Sequence, residues 1–234
     1  MMMNQHSAGL SPDMKPMLSK DNEKILRYAQ EKFHKEGFYK TSMDEIARDL
    51  QISKKTIYKY YPSKEKLVEH VVTDGLTCDS TDIDAIVHSD DNVVIKFIKI
   101  TNLNCQRIGR FSEKYFRDLQ VHTPHVWAIV DEFRVKKIRQ TLVKLVEAGK
   151  KEKLVENYPV EIIITALVAT IRTVMTAEFT STTKLTLQEA FRYTIDMMMN
   201  GMLTEKGKKI FDKERKLLVH NPIHNQEKIN ISQN

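Results

Sequence analysis

The sequence predicts an all-α fold in two unequal parts, on three observations. Seven glycines and six prolines in 234 residues are too few for the many turns of an all-β chain. Apolar residues recur at helical spacing through nearly the whole length. Helix start and stop signals punctuate these stretches at regular intervals. The expected organisation is a flexible arm over 1–18, a small three-helix unit over 19–66, a larger helical domain over 67–204 and a tail over 205–234.

Residues 1–18 are polar and methionine-rich, with Pro12 and Pro16, and read as an arm. Ser19 or Asp21 caps the first helix, whose apolar face is Ile25, Leu26, Ala29 and Phe33. Gly37 ends it, and Phe38 is expected to tuck into the core. Ser42 and Glu45 stand at capping-box spacing and open a second helix with Ile46, Ala47 and Leu50 inward. After a short turn at Gln51 and Ile52, Ser53 caps a third helix. This one is basic and aromatic: Lys54, Lys55 and Lys59 with Tyr58, Tyr60 and Tyr61, and Ile57 as its inward residue. A short helix, a tight turn and a basic helix within twenty residues form a helix-turn-helix layout. Small Ala47 lets the two helices cross closely. Lys55 and Lys59 share one helix face, and cations, hydroxyls and rings on a short helix suit the major groove of DNA.

The string T-S-M-x-x-I-A-x-x-L-x-I-S-x-x-T-I-Y-x-Y-Y-x-S-K-E-x-L, from Thr41 to Leu67, resembles the DNA-binding signature of the TetR (tetracycline repressor) family of transcription regulators. The resemblance begins near Ile25, includes Glu36-Gly37-Phe38 and covers about fifty residues. One position departs from it: the family's usual turn glycine is Gln51 here, which costs roughly 1 kcal/mol if the turn is left-handed. The resemblance implies a helix-turn-helix DNA-binding domain joined to a larger helical ligand-binding and dimerisation domain. The expected partners are a palindromic double-stranded DNA operator, a second copy of the chain and a small-molecule inducer, largely apolar. The candidate DNA contacts are Thr41, Ser42, Ser53, Lys54, Lys55, Thr56, Tyr58, Lys59, Tyr60 and Lys64, with Lys64 matching the family's phosphate-contacting lysine. The implied mechanism is that inducer in the body shifts the helix starting at Ser63, so that the two heads no longer fit the operator.

The fourth helix follows Pro62, with Ser63 as cap and Leu67, Val68, Val71 and Val72 at helical spacing. Residues 79–92 are acidic and irregular and are expected to form a linker with about one turn of helix. The body then continues as helices: Val93 to Gly109, Phe111 to His122, and a long one opened by Thr123-Pro124 and ended by Gly149. Pro159 opens the apolar segment 160–179, and Thr186 with Glu189 signals a further helix carrying Phe191, Ile195, Met198, Met199 and Met202. A last amphipathic turn or two around Ile210-Phe211 is expected before the tail. Segments 160–179 and 187–203 are apolar on more than one face, so they are either internal core helices or covered by a second subunit. The family resemblance implies the second, a homodimer through the last two long helices.

Phe97, Thr101, Cys105, Tyr115, Phe116, Trp127, Phe133, Met175 and Phe179 suit an apolar ligand cavity and equally suit a closed core. The cavity itself is implied by the resemblance. No nucleotide-binding glycine motif and no nucleophile elbow are present, and no catalytic constellation is found. No metal site is expected. His122 and His125 flank Pro124 at a helix start, His220 and His224 flank Pro222, and Cys78 and Cys105 have no ligand spacing around them. No cofactor is implied. Two thiols in a chain this long suit a reducing cytoplasm. The N-terminus lacks a continuous apolar core and no stretch approaches 18 uninterrupted apolar residues, so neither a signal peptide nor a membrane span is expected. A net charge of +6 favours a polyanionic partner only weakly. Two other readings remain at this level: a sequence-nonspecific DNA-organising protein, and a helical enzyme with a basic accessory head.

Overall fold

The computed structural model describes residues 19–219; the expected arm, the end of the tail, and His220 and His224 lie outside them. The described residues form eleven helices and one isolated antiparallel bridge, Val155 to Leu203.

Three short-range units build the head. Helix α1 (Lys20–Glu36) is capped by the Ser19 hydroxyl and stopped at Gly37, whose φ of 74° is in the region that favours glycine. Helix α2 (Met43–Asp49) starts with a complete Ser42/Glu45 capping box. Gln51 takes up the left-handed turn residue at φ 55°, and the Ile52 N–H returns to the Ala47 carbonyl at 2.9 Å. Helix α3 (Lys54–Tyr60) is capped by Ser53. Ile25, Ala29, Phe33, Phe38, Ile46, Ala47 and Ile57 are buried together, so each inward residue named above is core.

Helix α4 (Lys64–Val87) corrects the expected linker. The acidic run continues the helix to Val87 because its acids find cations far along the chain. Asp79 and Asp82 pair with Arg107 at 2.9 and 2.6 Å, and Asp84 pairs with Lys137 at 2.7 Å. Ile83 on the same stretch is buried. α4 therefore runs without a break from the head into the body.

The body holds α5 (Val93–Gly109), α6 (Glu113–His122), α7 (Pro124–Lys151), α8 (Val160–Val174), α9 (Ala177–Thr183), α10 (Leu187–Met202) and α11 (Glu205–Val219). Pro124 stands in the first turn of α7 as expected, but the helix passes through Gly149 before stopping. The segment 160–179 is bent rather than continuous: α8 and α9 meet at 72°, where the Thr176 hydroxyl caps α9. α11 corrects the expected turn or two, being a 15-residue helix that packs on α5 with Phe211 buried. The head and body share a core. Tyr115, Leu119, Val126 and Val130 of α6 and α7 belong to the same apolar cluster as the head residues. Among the described residues no single helix is long and apolar enough to cross a membrane.

Candidate DNA interface and body cavity

The third helix presents its cations outward. Lys54, Lys55, Tyr58 and Lys59 are exposed, while Ile57 on the opposite face is fully buried and fixes the orientation. Lys54 is engaged by the Asp44 carboxylate of α2, whereas Lys55 has no ion pair among the described residues. The Lys59 ammonium lies 5.4 Å from the centroid of the Tyr60 ring. Ser53 accepts from the Thr56 N–H at 3.0 Å and shares a 2.8 Å hydrogen bond with the Thr56 hydroxyl, so both hydroxyls first serve the cap. Ser42 is exposed at the start of α2.

Two of the sequence-derived candidates sit differently from expectation. Thr41 is buried at 6% exposure in the loop after α1, where its N–H donates to the Phe38 carbonyl at 3.1 Å. Lys64 is half-buried and donates to the Tyr39 carbonyl at 2.7 Å, tying the start of α4 to that loop. Burial pulls its ammonium below the usual lysine range. Exposed Tyr39, stacked on His122 with centroids 3.7 Å apart, stands beside this contact and was missed. Its only sequence signal is its place two residues after Gly37. His125 faces Glu65 at 3.1 Å, so the two histidines weighed as a metal pair serve separate contacts.

A partly open cavity of about 510 Å³ lies in the body, within the range of small-molecule sites. Phe97, Thr101, Tyr115, Phe116, Phe133 and Met175 of the candidate set line it. Cys105 is buried beside it in a cluster with Phe116 and Phe191; Trp127 lines a smaller neighbouring cavity, and half-buried Phe179 on α9 lines neither.

The lining also includes groups that sequence reasoning did not find. Gln30 and His34 of α1 and the inner face of α4 from Val71 to Ile83 form part of the wall, so it is built from head as well as body. His34 packs edge-on against Phe111 and Tyr115 at 4.6 and 5.1 Å. Burial, reinforced by the Arg110 charge, pulls its imidazole down to about 4, so it is neutral at neutral pH. Arg107, Arg134 and Lys137 also reach the wall. The available signal for Arg134 was its place on the inward stripe of α7, seven residues after Trp127 and four after Val130.

These features define a class: a helix-turn-helix protein whose basic third helix is joined through one long helix to a larger helical domain with a cavity. Residues 25–71 match the family model of bacterial regulatory proteins of the tetR family. An uncharacterized HTH-type transcriptional regulator, YvaF of Bacillus subtilis (strain 168), is 23% identical over 174 residues, 74% of this chain and 90% of the relative. The crystal structure of a transcriptional regulator from Cytophaga hutchinsonii superposes with a TM-score of 0.59 at 20% identity, over 78% of this chain and 98% of that one. A regulator from Saccharomonospora viridis, crystallised in complex with choline, superposes with a TM-score of 0.63 at 14% identity, over 80% and 100% of the two chains. Residues 25–71 thus carry the DNA-binding unit of the tetR family of bacterial regulatory proteins, and the chain as a whole shares its fold with solved transcriptional regulators.

Proposed function

We propose that this protein is a cytoplasmic repressor that binds a palindromic operator as a homodimer and is released by a small molecule held in the body cavity. The observation that carries the reading is the double role of α4. Leu67 and Val68 at its start are fully buried in the head core, and Val71, Val72 and Ile83 further along line the cavity. A ligand that prefers one position of α4 therefore biases the head, and only such a differential preference couples the two sites.

On this reading Lys55, Tyr58 and Lys59 face the major groove, with Lys54, Tyr60 and the helix starts at Ser42 and Ser53 beside them. Thr41 is withdrawn from the set, and Lys64 reaches a phosphate only by exchanging the Tyr39 carbonyl for it. The DNA-binding unit is residues 19–66 together with the first turns of α4. The dimer forms through α8 and α10. Ile162, Ala166 and Ala169 on α8 and Tyr193 and Met197 on α10 are exposed at helical spacing, with Ile162, Tyr193 and Met197 at 64, 59 and 63%.

The test is selection of binding sites from a random duplex library, followed by competition against unselected DNA. The expected result is a two-fold motif with half-sites about one helical turn apart, bound by two subunits. Enrichment of no motif, with a steep salt dependence on every sequence, would instead identify a DNA-organising protein. For the switch, a cavity ligand at saturation must lower operator affinity; unchanged affinity refutes release by that ligand.

A further inference from the structure

The cavity has a charged wall, with Asp74 and Asp79 beside Arg107, Arg110, Arg134 and Lys137, and an apolar end; Asp74 accepts from the Gln30 side-chain amide at 3.0 Å. Arg107 is held by Asp79 and Asp82, and Lys137 by Asp84 and the Ser80 hydroxyl at 2.8 Å. Arg134 has no ion pair or hydrogen bond among the described residues. Its guanidinium lies 5.2 Å from the centroid of the Trp127 ring, and the residue lines both the main cavity and the smaller one beside it. Asp131, three residues before it on the same helix, makes its direct ion pair with Arg172 at 2.6 Å and reaches Arg134 only through its charge. Arg110, at the exposed edge of the same wall, is likewise without an ion pair among the described residues. Arg134 therefore meets the Asp131 and Asp79 carboxylates only at a distance, and a buried cation without a direct partner gains from an anion that hydrogen-bonds to it.

The opposite end is apolar. Along α7 the lining passes from Arg134 and Lys137 to Leu142 and Leu145, which cluster with Met199 and Met202 of α10. Eleven residues of helix separate Arg134 from Leu145, roughly 16 Å at the α-helical rise, enough for an extended alkyl chain of about a dozen carbons. Methionines fit a flexible tail.

We propose that the cavity binds an amphipathic anion, a long-chain carboxylate whose head group pairs with Arg134 and whose tail runs along α7 to the α10 methionines. The indole stands beside the guanidinium, and the guanidinium's planar fork is the group that a carboxylate meets with two parallel hydrogen bonds. This inference rests on the ligand-responsive reading above and specifies its ligand class.

The experiment is calorimetric titration of the full-length protein, without DNA, with three probes of equal chain length below their micelle concentrations: dodecanoate, methyl dodecanoate and dodecyltrimethylammonium. The expected result is one dodecanoate per subunit, bound about tenfold or more tighter than the neutral and cationic chains. Arg134→Met, which keeps the apolar stem, should bring dodecanoate to within about threefold of the methyl ester, and Arg134→Gln should do the same. The wild-type comparison stands even if neither variant folds. Equal or tighter binding of the ester or the ammonium, or full discrimination in folded Arg134→Met, overturns the anionic head group while leaving a ligand cavity in place. Binding of none of the three overturns both the proposal and an apolar-ligand role for the cavity.

Discussion

The Asp118 carboxylate accepts the backbone N–H of Phe38 at 2.7 Å, joining residues 80 apart in sequence. The same oxygen accepts the Tyr39 N–H at 2.8 Å. Asp118 is on α6 and the two amides follow α1, so this buried carboxylate caps the end of a head helix from the body. The left-handed backbone at Gly37 delivers both amides to it, and a Cβ at Gly37 would lie 2.6 Å from the Asp118 oxygen. Asp118→Ala leaves two amides without an acceptor and is expected to cost about 2–4 kcal/mol in denaturant unfolding. Gly37→Ala should cost about 2–3 kcal/mol alone but only about 1 kcal/mol in the Asp118→Ala background, where backbone strain remains and the collision is gone. Strict additivity of the two changes would show that the contact is absent in solution.

Charge reversal on the reading helix separates DNA binding from folding. Lys55→Glu should lower operator affinity by about 3 kcal/mol or more, replacing an attractive contact with a repulsive one, while the dimer and its melting temperature stay unchanged. Lys54→Ala should cost less than Lys55→Glu, because Asp44 already holds that ammonium. Loss of dimer together with DNA binding in Lys55→Glu would place α3 in the subunit interface instead.

His34 makes stability fall on the acid side. Its imidazole is held down to about 4 in the folded chain, against an unfolded value near 6.5. Between these values the unfolded state carries the proton and the folded state does not, so stability is fully present above pH 6.5 and declines toward pH 4. The expected loss over that window is on the order of 2 kcal/mol, and His34→Phe should flatten it when unfolding is followed at pH 7, 5.5 and 4.5. An unchanged slope in the variant would assign the acid sensitivity to other groups.

The exposed stripe on α8 and α10 predicts an assembly phenotype. Ile162→Glu and Met197→Glu each put a carboxylate where the proposed partner helices meet, and each should weaken the dimer by about 1–3 kcal/mol. Sedimentation equilibrium reads this directly. Each subunit should keep its helical content, because both residues are more than half exposed in the single chain. Unaltered dimers in both variants would move the interface off this face.

Tyr61 locks the end of the reading helix from behind. Its hydroxyl donates to the Asn22 side-chain oxygen at 2.6 Å and lies 3.0 Å from His70 Nδ1, joining α1, the end of α3 and α4. Tyr61→Phe is expected to cost about 1–2 kcal/mol in stability and to lower operator affinity through looser placement of α3. A change in DNA affinity with no change in stability would point to a direct Tyr61 contact, which its 3% exposure argues against.

The sequence by itself determined what is local: the caps at Ser42, Ser53, Ser63 and Thr186, the turn at Gln51, the inward Ile57 and the outward lysines of α3; between Ser19 and Asp21 the structure chose Ser19 as the first cap. Each depends on residues a few positions apart, within reach of helical periodicity and capping chemistry. The tertiary structure alone decided what depends on distant partners. The acidic stretch after Cys78 reads as a linker until Arg107 and Lys137 arrive from α5 and α7 to make it helix. Thr41 reads as a DNA contact, yet its side chain is buried in the folded head, and Lys64 reads as free until the Tyr39 carbonyl meets it. Arg134 became visible as a cation without a direct ion pair only once Asp131 and Asp79 were seen to pair with Arg172 and Arg107. Neutralisation and burial are sums over neighbours that the fold supplies, so no local pattern reports them.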